Sequence, residues 1–322
     1  MRIVAIGGGT GLFTLLSGLK EHPVDITAIV TTFDSGGSTG ILQAELGLLP
    51  AGDIRRCLIA LAESKELMYE LFNYRFTKGK GLEGHSFGNL LIAALTDLNK
   101  GDFKKTIEQF SKILAIKGRV LPATLSHATL CAKLADGTVI EKESEIDGYI
   151  AHTHIIDFEK LRERAPIDQV FLKPKNPSPL KETLKAIRSA DLIVLGPGSM
   201  YTSIIPNLLV KGVSNAIRKS RAKKVYVCNI TSQPGETVGW NTSQHVKEIE
   251  KYLGKGSLDY VIINTGKFPS PILKKYERED SFLIKYDFDG INAKVIKGDI
   301  IKRSKLIRHD PKKLAKLVLS LK

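Results

Sequence analysis

Five residues, Gly7-Gly8-Gly9-Thr10-Gly11, constrain this chain more than any other segment. They stand between an apolar run, Arg2 to Ile6, and a helically periodic one, Leu12 to Leu19. A strand that ends in glycines and opens a helix leaves backbone N–H groups, unobstructed by Cβ atoms, at the positive end of the helix dipole. A phosphate or similar anion suits such a turn; a tight turn that binds nothing is the alternative. The spacing departs from the dinucleotide fingerprint, since Leu12 stands where the third glycine belongs and Gly11 comes one place early. No Gly-Lys-Ser/Thr follows, so this is not a Walker-type loop.

Four further apolar runs read as strands of a buried parallel sheet: Ile26 to Thr31, Leu192 to Leu195, Val225 to Cys228 and Tyr260 to Asn264. Most lead through a glycine or proline turn into a helical pattern. That alternation predicts an α/β fold, a Rossmann-like doubly wound and mostly parallel sheet. A helical stretch, roughly 53–114, and a hairpin turning at Asp136-Gly137 between Thr129 to Leu134 and Thr138 to Glu143 read as an insertion upon it. The expectation is one domain over 1–322 with a helical and β-hairpin insertion at roughly 53–170.

In open parallel sheets, ligands bind beyond the carboxyl ends of the strands. Four strand ends here carry small, polar, glycine-bearing loops: GGGTG, then Asp34-Ser35-Gly36-Gly37-Ser38-Thr39-Gly40, then Gly196-Pro197-Gly198-Ser199 through Ser203, then Asn229 through Thr237. Glycines admit an oxyanion closely, and the hydroxyls of Ser38, Thr39, Ser199 and Thr202 can donate to it. Asp34 has two readings, a ligand for a ribose hydroxyl or divalent ion and the anchor of an Asx-type turn. Ser199 reads equally as a helix N-cap and a ligand contact. Asn229 could read a base or tie two loops together.

Asp53 reads as an N-cap that sets Arg55 and Arg56 in the first turns of a helix, with Arg55 a phosphate or carboxylate clamp. His85 and Asn89 stand one helical turn apart; a histidine so placed is usually structural. No metal-ligand spacing or catalytic triad is visible, and His152-Thr153-His154 alone is too little for a metal. Cys57, Cys131 and Cys228 are odd in number and widely spaced, which fits reduced thiols.

The 322 residues carry a formal net charge of +14. Their lysines are dispersed, with no run that interleaves aromatics and arginines, so a solvated basic surface attractive to small anions is expected rather than nucleic-acid binding. No apolar run reaches bilayer-spanning length and no leader pattern opens the chain, so a soluble, cytoplasmic protein is expected. The segment Pro311 to Lys322 reads as an amphipathic surface helix, with membrane binding the minor alternative.

The segments VAIGGGTGL, LLPAGDIRRCL, GHSFGNLLIAALT, ADLIVLGPGSMYTSIIPNLLV, KVYVCNITSQPGET and IRHDPKKLA together resemble the YvcK-type gluconeogenesis-factor family, related in fold to CofD-type 2-phospholactate transferases. The likeness runs essentially from Met1 to the C-terminus. It implies a binder of UDP-sugars that supports cell shape and wall homeostasis during gluconeogenic growth. Transferred residue by residue, it places the phosphate cradle at Gly8, Gly9, Thr10 and Gly11 with Gly198 and Ser199. Tyr276 and Arg308 would flank the base, an arrangement that an aromatic ring and a guanidinium suit. Asp34, Gly37, Ser38, Arg55, Asn89 and Asn229 complete the predicted ligand set.

The chain departs from the family pattern twice. Asp34-Ser35-Gly36-Gly37 stands for Asp-Asp-Gly-Gly, and Gly40-Ile41-Leu42-Gln43 for Gly-Arg-Leu-Arg. One carboxylate and two basic groups are thereby lost, which favours a UDP-sugar-binding regulator over the alternative, a transferase of a phospholactate-type group in which Asp34, with a divalent ion, would be the catalytic residue. Magnesium accompanying the nucleotide is the one cofactor this reading brings. Homo-oligomerisation and a regulatory protein partner stay open.

Overall fold

The computed structural model describes residues 1–63, 66–149 and 155–321. The central sheet has seven strands, all parallel: β1 (Arg2–Gly7), β2 (Asp25–Val30), β3 (Arg119–Pro122), β7 (Leu192–Leu195), β8 (Lys223–Val227), β9 (Tyr260–Asn264) and β10 (Lys294–Gly298). A separate antiparallel sheet holds β4 (Thr129–Leu134), β5 (Val139–Glu141) and β6 (Ile167–Lys173). The spatial order β10-β9-β8-β7-β1-β2-β3 confirms the doubly wound α/β reading. The chain builds outward from β1 on one side and then from β7 on the other.

Side chains alternate across β1, and the two cores follow from that alternation. Ile3 and Ala5 join Val194, Val225 and Ile262 on one face, beneath helices α1 (Gly9–Leu19) and α3 (Gly52–Leu61). Val4 and Ile6 join Ile193, Leu195 and Val261 on the other, beneath helices Lys181–Ser189, Val213–Lys219 and Thr242–Leu253. The small sheet packs into this second core through Leu130, Ala132, Val170 and Leu172.

Helix α2 (Gly37–Leu46), α3, α4 (Glu66–Asn73), α5 (Phe87–Leu98) and α6 (Phe103–Ile113) form the crossover from β2 to β3. The terminal helix Pro311–Leu319 buries Leu314, Ala315 and Val318 against the α1 side of the sheet. Its apolar stripe is thus core, and the membrane alternative loses the surface it would have used. Contact with α1 is intimate: a Cβ at Gly18 would lie 1.9 Å from the Pro311 carbonyl oxygen. The three cysteines are buried and unpaired.

Candidate functional site

Because the chain leaves β1 and β7 in opposite directions, their carboxyl ends diverge and a crevice opens between the loops that follow. Glycine is required here for three separate reasons. Gly9 has φ +62°, in the left-handed region. A Cβ on Gly8 would come 2.3 Å from Asp53 Oδ2. A Cβ on Gly11 would come 2.2 Å from the Pro197 carbonyl oxygen, so this glycine lets α1 lie against the loop after β7. The early glycine therefore serves helix-to-loop packing, the role that the dinucleotide motif gives to a later position.

The resulting cleft measures about 380 Å³. Gly8, Gly9, Thr10 and Gly11 form one wall; Asp34, Gly37 and Ser38 form another. Gly198, Ser199 and Asn229 also line it, as do Arg55, Asn89 and Arg308. Tyr276 alone among the predicted residues is absent from it. Its hydroxyl accepts the Ile307 N–H at 3.1 Å, so it anchors the segment that carries Arg308.

Several side chains are already engaged by the protein. Asp34 Oδ1 accepts the Gly36 N–H at 2.9 Å, the Asx-type turn that was one of its two readings. Asn229 clasps Gly198, accepting its N–H at 3.1 Å and donating to its carbonyl at 2.8 Å. Its amide therefore ties two loops together, the second of its two readings, while the residue still lines the cleft. Asn229→Ala removes both bonds and is expected to cost about 2 kcal/mol, read as a lower thermal midpoint; an unchanged midpoint would show the clasp to be dispensable.

Ser199 caps the wide π-type turn Met200–Ile204 by accepting the Thr202 N–H at 3.1 Å. It also donates to the Glu236 carboxylate at 2.8 Å, and Glu236 accepts the Tyr201 N–H at 3.1 Å. The chain's own carboxylate thus occupies the end of that turn. Across the cleft, His85 Nδ1 lies 3.1 Å from the Ser38 hydroxyl, and Asn89 Nδ2 donates to Ser38 and Thr39 at 3.3 Å each. Both side chains are buried, and Asn89 Oδ1 has no hydrogen-bond partner among the described residues.

Charge is the feature least visible in the sequence. Arg55, Arg56, Arg75 and Arg308 line the cleft together with the carboxylates of Asp34, Asp53, Glu143 and Asp147. Arg55 is buried, donates to the Phe72 carbonyl at 2.9 Å and to Asn73 Oδ1 at 3.2 Å, and keeps its Nε unpartnered. Burial lowers its pKa to about 10, which leaves it cationic at neutral pH. Asp53 is not an N-cap, because α3 begins at Gly52. Its carboxylate accepts the Gly9 N–H and pairs with Arg56 at 3.4 Å, while burial pushes its pKa up to about 6.

Glu143 accepts the Ser35 N–H at 3.2 Å; burial, then the neighbouring Asp147, lift it well above the usual carboxylate range. Asp147 is lifted likewise by burial and by Glu236. The Asp-to-Ser departure at Ser35 therefore does not leave the rim with a single acid, as the sequence had implied. The other carboxylates come from α3 and from the segment after the hairpin, and no local spacing signals them. Among the described residues no group of three or more His, Cys, Asp or Glu is arranged to hold a metal ion. His152-Thr153-His154 lies outside the described residues. His309 lines the cleft as a buried imidazole whose pKa desolvation lowers to about 4, so it is neutral at physiological pH.

The family model described as 2-phospho-L-lactate transferase CofD matches residues 3–301. A putative gluconeogenesis factor of Thermoanaerobacterium thermosulfurigenes is 46% identical over 324 residues, covering 99% of this chain and 96% of that one. The gluconeogenesis factor of Bacillus subtilis is 44% identical over 324 residues, covering 99% and 98%. A crystal structure of a UPF0052-family protein from Bacillus halodurans superposes with a TM-score of 0.90 at 41% identity, covering 98% of this chain and 99% of that one.

Proposed function

The chain belongs to the gluconeogenesis-factor family within the wider CofD group, and from that premise we propose that it is a regulatory protein that binds a UDP-sugar in the cleft between β1 and β7. The observation that carries this reading is the meeting of the glycine turn with four arginines at the topological switch point. A diphosphate would lie against the N-terminus of α1 with Arg55 and Arg56 beside it. Arg308, exposed at the rim, offers a planar cation to stack on the base. Tyr276 then acts through the Ile307 backbone, by holding Arg308 in place.

The residues suit a magnesium ion accompanying the diphosphate. Asp34 and Asp53 both line the cleft, near enough for the Asp34 charge to act on Asp53, and magnesium is commonly held by one or two carboxylates together with phosphate oxygens. The ion would neutralise phosphate charge; these two residues would hold it. In the cell we place the protein in the cytoplasm, where it supports cell shape and wall homeostasis during gluconeogenic growth. Among the described residues no helix is long and apolar enough to cross a membrane.

Calorimetric titration with UDP-N-acetylglucosamine tests the assignment. Binding by the parent and about tenfold weaker binding by Arg308→Ala are expected, a difference of about 1.4 kcal/mol. No heat from the parent, or equal affinity in the variant, would overturn it. The second reading, a CofD-type transfer of a phospholactate-type group to an alcohol, is favoured by one observation: the cleft holds Asp53 beside Asp34. Magnesium-dependent consumption of a nucleotide-linked phospholactate distinguishes it, and absence of product across several alcohols would exclude it.

A further inference from the structure

A second cavity, of about 560 Å³, lies on the other side of the loop Gly36-Gly37, which together with Tyr149 lines both spaces. Its walls differ in chemistry from those of the first cleft. Phe33, Ile41, Ala44 and Ala128 supply an apolar surface, and among the described residues no arginine takes part. Lys142 and Lys160 stand at its margin, both exposed and without an acidic partner among the described residues. Glu145 is the one carboxylate in the lining among the described residues. The size falls in the range of small-molecule sites, and an apolar body with a few placed polar groups is their usual composition.

The two positions where arginines were lost from the Gly-Arg-Leu-Arg pattern, Ile41 and Gln43, lie in this second cavity and not in the first cleft. An apolar and a neutral side chain there favour a ligand body of low polarity. Charge at the mouth is contributed by the two lysines instead. We propose that this cavity is a separate binding site for a small amphiphilic anion, one apolar body bearing a single carboxylate, sulfonate or phosphate. The apolar body lies against Phe33, Ile41 and Ala128, and the anionic group is met by Lys142 and Lys160. Because the two sites share the Gly36-Gly37 wall, an occupant of one is positioned to influence the other.

The probe is 8-anilinonaphthalene-1-sulfonate, which has this chemistry, titrated by fluorescence into the folded full-length chain. Expected is saturable binding of one equivalent, weakened at least tenfold in Ala44→Trp, which fills the cavity from an exposed helix position. The double variant Lys142→Glu/Lys160→Glu is expected to lose affinity by a similar factor, with the parent's salt dependence flattened. A melting curve for each variant establishes that it is folded. No binding by the parent, or parental affinity in folded Ala44→Trp, would overturn the site; parental affinity in the lysine double variant would overturn the anionic preference. Neither arm requires UDP-sugar binding, so failure of the nucleotide assignment is read separately, in the calorimetry.

Discussion

Replacing Gly11 with alanine is expected to lower stability by about 3 kcal/mol and to abolish ligand binding at the switch point. The new methyl would meet the Pro197 carbonyl oxygen at 2.2 Å and the Pro197 carbonyl carbon at 2.5 Å. Both are main-chain atoms, so no side-chain rotation relieves the contact. Overpacking of this kind costs roughly 1–3 kcal/mol, and a backbone neighbour places it at the upper end. Either α1 or the Gly196-Pro197-Gly198 loop must shift, and each carries a wall of the cleft. A drop of roughly 5 °C or more in the thermal midpoint is the expected reading. Gly47→Ala is the control: φ is +63° there, yet nothing lies within 4 Å of the added Cβ. That variant should cost only about 1 kcal/mol, the strain of the left-handed conformation alone. Equal losses in the two proteins would show that the close approach at Gly11 is unimportant.

Strands β1, β2, β7, β8 and β9 are continuous apolar runs because helices cover both faces, and such runs announce themselves. Strands β3 and β10 do not: Arg119–Pro122 is short and ends in proline, and in Lys294–Gly298 only the half-buried pair Val295-Ile296 stands between two lysines at the sheet edge. The turn Asp136-Gly137 gave away its hairpin, whereas β6 pairs with β4 across a long connection, and its order Ile-Asp-Gln-Val-Phe-Leu-Lys keeps neither a continuous apolar run nor a clean alternation. Helix α2 begins inside the Asp34 to Gly40 loop, whose glycines and hydroxyl residues disfavour a helix locally. The glycine at position 40 is required locally, since a Cβ there would strike the carbonyl oxygen of Ser35, just ahead of the helix, at 2.2 Å.

The cleft was legible in one respect and hidden in another. Loops at strand ends must gather on one rim of a parallel sheet, so Gly8 to Gly11, Asp34, Gly198 and Asn229 could be brought together from sequence. Which of their side chains remain free could not. Ser199 is satisfied by Glu236 and Asn229 by Gly198, contacts that span 37 and 31 residues. Glu143 reaches the cleft because the Ser144 N–H donates to the Ser35 hydroxyl at 3.0 Å, a link of 109 residues. Partners this distant leave no periodic trace.

Asp53 is where these long-range contacts have their largest expected consequence. Its carboxyl is buried against the glycine turn, and its folded pKa of about 6 lies above the ordinary 3.8. A carboxyl shifted upward binds more protons in the folded state than in the unfolded one. Stability is therefore fully present below about pH 3.8 and is lost as pH rises through about 6. At about 1.4 kcal/mol per pKa unit, the ionised group costs roughly 2–3 kcal/mol at neutral pH. Asp53→Asn keeps the shape and an oxygen acceptor for the Gly9 N–H but cannot ionise. It is expected to raise the thermal midpoint by several degrees at pH 7.5, with the gain vanishing near pH 4. The same variant is expected to lose the magnesium-dependent part of UDP-N-acetylglucosamine binding, since a cation beside Asp34 is what would make the buried charge favourable. Such an exchange of stability for a charged site is common where binding requires an uncomfortable group. A lower midpoint at pH 7.5 would instead make Asp53 a structural partner of Arg56 and the glycine turn. Intact magnesium dependence in a stabilised variant would remove Asp53 from the ligand site.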